Sequence, residues 1–118
     1  MPAKASHMFA RIPPRKCRLV ADLVRGKEYQ EAQAILHFTF NKSARLIEKV
    51  LQSAYHNATT NHDMDANRLF VSKVWVDEAG AAGIQGKLKR YQPRAQGRAF
   101  PILKRASHIH VVLDERPL

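Results

Sequence analysis

Cysteine is nearly absent from the 118-residue chain: Cys17 stands alone, which excludes an internal disulfide and fits a reducing compartment. Acids are scarce as well, with ten Asp and Glu against twenty Lys and Arg, a formal net charge of +10 at pH 7. No apolar run approaches the roughly 18–20 residues that span a bilayer, so no membrane partner is expected. The start, Met1-Pro2-Ala3-Lys4, has neither an apolar signal core nor an Arg/Ser-rich amphipathic leader, and a cytoplasmic location is the expectation. Aromatics make up only 8% of the residues. The C-terminal basic stretch holds just Tyr91 and Phe100, which favours docking on phosphates over the stacking of successive bases.

What is present is enough for one domain. The hydrophobic fraction, 45%, is that of an ordinary globular protein, and a chain this long can bury one modest core. The positive charge is unevenly divided. Residues 1–27 hold seven bases and one acid, residues 28–82 hold five bases and seven acids, and residues 83–118 hold eight bases and two acids. A merely soluble surface intersperses both signs. Two basic ends around a near-neutral middle predict a core with two surfaces that face a polyanion, nucleic acid before any other.

Along the chain, residues 4–12 are compatible with a short strand. Pro13-Pro14 opens a helix in which Leu19, Val20, Leu23 and Val24 recur at helical spacing, with Arg15, Lys16, Arg18 and Arg25 on or beside the polar face and Gly26 as the stop. A second helix is predicted over about 28–37, with Tyr29, Ala32, Ile35 and Leu36 as its stripe. Asn41 is a good N-cap for a third helix that lines up Ala44, Ile47, Val50, Leu51, Ala54, Tyr55 and Ala58 on one face, opposite Arg45, Glu48, Lys49, Gln52 and His56. Asn57–Asn67 is polar and turn-prone and reads as a loop.

From Leu69 the pattern becomes β: residues 69–76 are rich in β-branched and aromatic side chains, and residues 109–113 answer them. Between them lie Gly, Ala and bases, too few apolar groups for a core. Residues 69–113 are therefore predicted to form one long β-hairpin whose base pairs into a sheet against the helices. The expected class is α+β: a small antiparallel sheet on three helices with a protruding hairpin. Residues 1–77 and 99–118 would form the body and 78–98 the distal extension. An arm of about ten unburied residues reaches on the order of 33 Å, and a lone two-stranded ribbon is marginal in water, so an external partner must hold it. Arg94, Gln96 and Arg98 would share one face of its strand, and Ala95, Gly97 and Ala99 the other.

The run Pro93-Arg94-Ala95-Gln96-Gly97-Arg98-Ala99, followed by residues 102–109 (ILKRASHI), closely resembles the C-terminal signature of the ribosomal protein L twenty-two family. Residues 15–27 (RKCRLVADLVRGK) resemble its first-helix signature, and residues 50–54, Asn57-Ala58 and residues 76–78 match in order; the motifs point to a bacterial member, with an organelle-encoded copy as the alternative. The resemblance implies a structural, non-enzymatic subunit of the large ribosomal particle that binds large-subunit rRNA and joins the particle early in assembly. Its body would sit near the polypeptide exit and its hairpin would line the exit tunnel. The partners implied are rRNA, neighbouring ribosomal proteins and the nascent polypeptide, with no homo-oligomer and no cofactor. By the same resemblance Arg15, Lys16, Arg18, Arg25 and Lys27 face rRNA, and Lys89, Arg90, Arg94, Arg98, Lys104, Arg105 and His108 do so along the hairpin. Arg11, Lys42 and Lys87 complete the candidate rRNA-binding set. The chain departs from the family at Pro13, where a capping Ser is common, at Gln96, at Phe100-Pro101, and at Ala79–Gly86, a link about half a dozen residues longer than usual.

Other chemistries read less well. His108 and His110 share a strand face, a spacing metal sites use, but no third ligand lies nearby in sequence and no metal is expected. His62-Asp63-x-Asp65 could serve a metal-dependent nuclease, yet no Gly-rich phosphate cradle accompanies it. The serious alternative is a free-standing RNA-binding protein or RNA chaperone.

Overall fold

The computed structural model describes residues 2–79, 88–93, 99–104 and 106–117. The N-terminal residues form strand β1 (Ala3–Ala10), followed by helices α1 (Pro14–Val24), α2 (Tyr29–His37) and α3 (Lys42–His56). Strands β2 (Leu69–Glu78), β3 (Leu88–Pro93), β4 (Ala99–Lys104) and β5 (Ser107–Glu115) complete the chain. The class is α+β, as expected: three helices and an antiparallel three-stranded sheet ordered β1-β5-β2, with β3 and β4 paired in a second, two-stranded sheet.

α3 forms as its spacing dictates. The Asn41 side chain accepts a hydrogen bond from the Ala44 N–H at 2.8 Å, capping the helix, and Ala44, Ile47, Val50, Leu51 and Ala54 are buried. α1 begins at Pro14 with Pro13 as a cap that makes no side-chain hydrogen bond, as the loss of a capping hydroxyl requires. Its buried face is Cys17, Val20, Ala21 and Val24. The expected stripe is half right, because Leu19 and Leu23 are 68% and 48% exposed. Small Cys17 and Ala21 complete the face that meets the core, and the two leucines lie one step round the helix. Gly26 ends the helix at φ +80°, a conformation open to glycine at little cost, and the chain turns along the edge of β2.

That edge is covered backbone to backbone. Gly26 N–H donates to Val71 O at 3.0 Å and Val71 N–H to Lys27 O at 2.8 Å, with a bridge between Glu28 and Phe70. Exposed strand edges invite unwanted pairing, and this segment closes one. The region 57–67 is not the open loop its polarity predicts. Asn57–Asn61 continues α3 as a π-helical turn and Ala66–Arg68 forms a 3-10 turn. Ala58 and Met64 are buried, Met64 N–H donates to Ala58 O at 3.0 Å, and the Asn57 amide donates to Lys4 O at 2.8 Å. Two apolar anchors in a polar stretch are enough to hold it down.

The β2–β5 and β3–β4 ladders are nested, as one long hairpin requires: Glu78 pairs with Ser107 and Leu88 with Lys104. Nine residues separate Glu78 from Leu88 and two separate Lys104 from Ser107, so the outgoing side carries seven more. Beyond Ala79, the link and the expected Arg94/Gln96/Arg98 face lie outside the described residues.

Candidate nucleic-acid interface

The sheet brings the two basic ends of the sequence together. Antiparallel pairing sets Ala10 opposite Ser107 and Ser107 opposite Glu78, so the chain enters Arg11 where the hairpin leaves the body. The Ser107 hydroxyl donates to Ile12 O at 2.6 Å and fixes this crossing. Lys42 Nζ donates to Arg11 O at 2.7 Å, carrying the start of α3 to the same place. α1 runs beside β2: Arg18 Nε donates to Val76 O at 3.0 Å and Arg25 Nη2 to Val74 O at 2.8 Å. Arg15 and Lys16, one turn before Arg18, therefore lie toward Glu78 and the hairpin root, and both are exposed. The sequence predicted two separate polyanion-facing surfaces. In the fold, Arg11, Arg15, Lys16, Arg18 and Lys42 share one end with the segment that carries Lys104 and His108.

Charge pairing separates this end from the other. Among the described side chains, none of Arg11, Arg15, Lys16, Arg18 and Lys42 has an acid partner, whereas Arg25 meets Asp22 at 2.5 Å and Lys27 meets Glu31 at 3.9 Å. Farther along the same end, Arg68 meets Glu115 at 2.6 Å and Arg116 reaches Glu28 at 4.0 Å while lying over the Phe70 ring. Unpaired guanidinium and ammonium groups are free to neutralise phosphates; paired ones are already spent on carboxylates.

His108 is half-buried. Its Nδ1 accepts from the Phe9 N–H at 3.0 Å and its ring meets Phe9 edge-on. This contact follows from a bulge in β1 that sets Met8 and Phe9 opposite one residue of β5 and holds Phe9 at φ 58°, a conformation bulky residues rarely adopt. Lys89, Arg90 and Lys104 lie in the β3–β4 ladder, with Lys89 opposite Leu103, Arg90 opposite Ile102 and Lys104 opposite Leu88. Lys87, Arg94, Arg98 and Arg105 lie outside the described residues.

Sequence reasoning missed what two of the arginines also do. Arg18 and Arg25 hold α1 to the β2 edge through backbone carbonyls, and only the position of that edge could reveal it. It also missed Arg45, whose guanidinium donates to the carbonyls of Leu36, His37 and Thr39 at 2.5–2.9 Å and fixes the α2–α3 turn. Among the described residues, no three His, Cys, Asp or Glu side chains lie close enough to hold a metal ion.

Residues 5–114 match the family model described as ribosomal protein L22p/L17e. The chain is similar to the large ribosomal subunit protein uL22 of Mycoplasmopsis agalactiae, 52% identical over 114 residues that cover 97% of this chain and 95% of the relative. It is also similar to the large ribosomal subunit protein uL22 of Thermus thermophilus, 51% identical over 116 residues that cover 98% and 97%.

Proposed function

The chain belongs to the ribosomal protein L22p/L17e family, and from that premise we propose that it is a structural constituent of the large ribosomal subunit that binds large-subunit rRNA. The observation that carries the rRNA reading is the cluster of unpaired bases at the hairpin root. Five exposed cations without carboxylate partners among the described side chains, one just after β1 and the others in α1 and α3, stand where a basic ribbon leaves the body. A polyanion supplies the missing charge, and the rigid sheet and helices hold the cations in fixed register to receive it.

In this reading Arg11, Arg15, Lys16, Arg18, Lys42 and His108 grip rRNA at the root. Lys87, Lys89, Arg90, Arg94, Arg98, Lys104 and Arg105 extend the contact along the hairpin, while Arg25 and Lys27 contribute less because in-chain acids already engage them. Residues 1–77 and 99–118 act as the body and 78–98 as the distal hairpin, whose strand β3 pairs with β4 of the returning segment. That hairpin lines the polypeptide exit tunnel and meets the nascent chain, and the protein joins the particle early, beside other large-subunit proteins. The role is non-enzymatic, monomeric and cytoplasmic.

Sedimentation tests the proposal. The protein is expected to travel with large subunits through high-salt washing; a free-standing RNA chaperone would be stripped into the supernatant, and that result would overturn the reading.

A further inference from the structure

Among the described residues no helix covers the second face of the three-stranded sheet, and its side chains form a grid fixed by register. Lys4, Val112 and Lys73 make one row across β1, β5 and β2; Ser6, His110 and Trp75 make the next. Their partners on the opposite face, among them Val71, Val74, Val76, Ile109, Val111 and Leu113, belong to the core beneath. Strands lie about 4.8 Å apart and rows about 6.7 Å apart, so Lys4 and Lys73 flank the position one row from Trp75 at roughly 9.6 Å from each other. Both lysines are exposed, and neither has an acid partner among the described residues.

Trp75 is held rigidly on this face. Its indole stacks on the His110 imidazole with centroids 4.9 Å apart and planes 17° apart. Its N–H donates to Asp77 Oδ2 at 3.2 Å. His110 is fixed in turn, with Nδ1 at 2.8 Å from the Ser6 hydroxyl and Nε2 at 3.4 Å from Asp77 Oδ2. The two acids of the face are both engaged within the chain, Asp77 as above and Asp114 by the Glu115 N–H at 2.9 Å. The indole nevertheless remains 39% exposed. A large ring stacked on one side, anchored at its edge and open to solvent is a platform for another flat ring.

We propose that this open sheet face is a second RNA site, distinct from the hairpin root, in which an unpaired nucleobase stacks on Trp75 while Lys73 and Lys4 take the flanking phosphates. Open antiparallel sheets take single-stranded RNA by this combination of rings and bases. The chemistry favours RNA over a protein partner: the exposed Trp75 ring, set between two lysines and a hydroxyl, offers a stacking surface and counter-charge, and the exposed Phe9 ring beyond His108 adds a second flat surface to it. The site rests on the rRNA-binding reading and adds a body contact to it.

Trp75 is the only tryptophan in the chain, so intrinsic emission reports on this site alone. Titrating the full chain with a single-stranded octauridylate is expected to quench that emission saturably and to shield the indole from acrylamide. Trp75→Leu should weaken octauridylate binding roughly tenfold or more, as loss of a stacked base requires, and Trp75→Phe should restore most of it. The Lys4→Gln/Lys73→Gln pair should weaken it comparably, while Arg15→Gln/Lys16→Gln should leave the acrylamide shielding intact. Binding with unchanged emission and unchanged acrylamide access would overturn the site, as would wild-type affinity in Trp75→Leu. In either of those cases, continued sedimentation with large subunits would leave the ribosomal reading standing. Failure of the wild-type protein to sediment with them would bring both readings down. Crosslinking of Trp75 to a neighbouring protein rather than to RNA in washed subunits would overturn the site alone.

Discussion

The two ends of the body carry similar numbers of bases but differ in how many of them meet an acid among the described side chains. At the end where β2 starts and β5 finishes, Arg25, Lys27, Arg68 and Arg116 each meet a carboxylate. At the end where the hairpin leaves, Arg11, Arg15, Lys16, Arg18 and Lys42 meet none among the described side chains. Counting bases along the sequence treats these groups alike. The fold sorts them: one set meets the domain's own acids, and the other meets none among the described side chains. Part of the negative middle of the sequence contributes to this, since Glu31 meets Lys27 and Glu28 meets Arg116 at one end.

Removing the unpaired set should give the largest effect. Each phosphate contact adds roughly 0.7–0.9 to the salt slope of RNA binding. Replacing Arg11, Arg15, Lys16 and Lys42 together with Gln is thus expected to flatten the slope of log K against log salt by about three, equivalent to about a thousandfold across a tenfold change in salt. Replacing Lys27 and Arg116 should flatten it by less than about one, the share of a single contact. Filter binding to rRNA between low and moderate salt measures both. Equal changes at the two ends would erase the distinction between them.

Both ends depend on the same core, and neither set of bases should matter to it as much as one buried leucine. Leu51 is almost wholly buried and Gln52, its neighbour, is exposed. Leu51→Ala should cost about 2–5 kcal/mol of stability and Gln52→Ala well under about 0.5 kcal/mol, read from urea unfolding. If the quadruple base variant loses as much stability as Leu51→Ala, the root cations are structural and the electrostatic contrast has been misread.

How much of this was legible depends on whether the signal was local. α3 could be read in full, because its cap and its stripe both lie within fifteen residues and agree. The nested ladders could be read in outline, since two β-rich runs flanked a segment unable to form a core. α1 was read only in part: Leu19 and Leu23 outrank Cys17 and Ala21 in hydrophobicity, yet the smaller pair is the one that is buried. The turn over Asn57–Asn61 was missed because its burial rests on Ala58 and Met64 alone. The contrast between the two ends was not legible at all. Arg68 and Glu115 are 47 residues apart, and only the register of β2 on β5 makes them partners.

The interior beneath both ends also sets a limit at high pH. Burial pushes the Cys17 thiol up from 9.0 to about 11. Between those values the unfolded thiol ionises while the folded one keeps its proton, so the unfolded state binds fewer protons and stability falls as pH rises. The loss should reach about 2–3 kcal/mol by pH 11, with none of it below about pH 9. Tyr29, raised by its own burial and by Tyr55 and Glu48 beside it, adds to the decline above its ordinary value near 10. Cys17→Ala should remove the earlier part of the decline and keep the later one. Identical unfolding curves for the two proteins from pH 9 to 10 would show that the thiol does not titrate as its burial requires.

The smallest effects are the sharpest test, because Arg18 and Arg25 do the same structural work at different ends of α1. Each donates to a β2 carbonyl, Val76 or Val74, and each holds the helix against a strand edge. Losing either bond should cost about 0.5–1.5 kcal/mol, the usual net value of one hydrogen bond, so Arg18→Ala and Arg25→Ala should lower stability by similar amounts. Their effects on RNA must then part. Arg25 is shared with Asp22, and its loss should move the salt slope by only a few tenths, below the roughly 0.7–0.9 of a full phosphate contact. Arg18 has no acid partner among the described side chains, and its loss should remove about that whole contact. Arg18→Lys separates the two duties within one residue: the charge stays, so the slope should hold, while the guanidinium Nε that reaches Val76 is gone and stability should fall as in Arg18→Ala. If Arg25→Ala flattens the slope as much as Arg18→Ala, the in-chain carboxylate does not set an arginine's availability to RNA, and the contrast between the two ends fails with it.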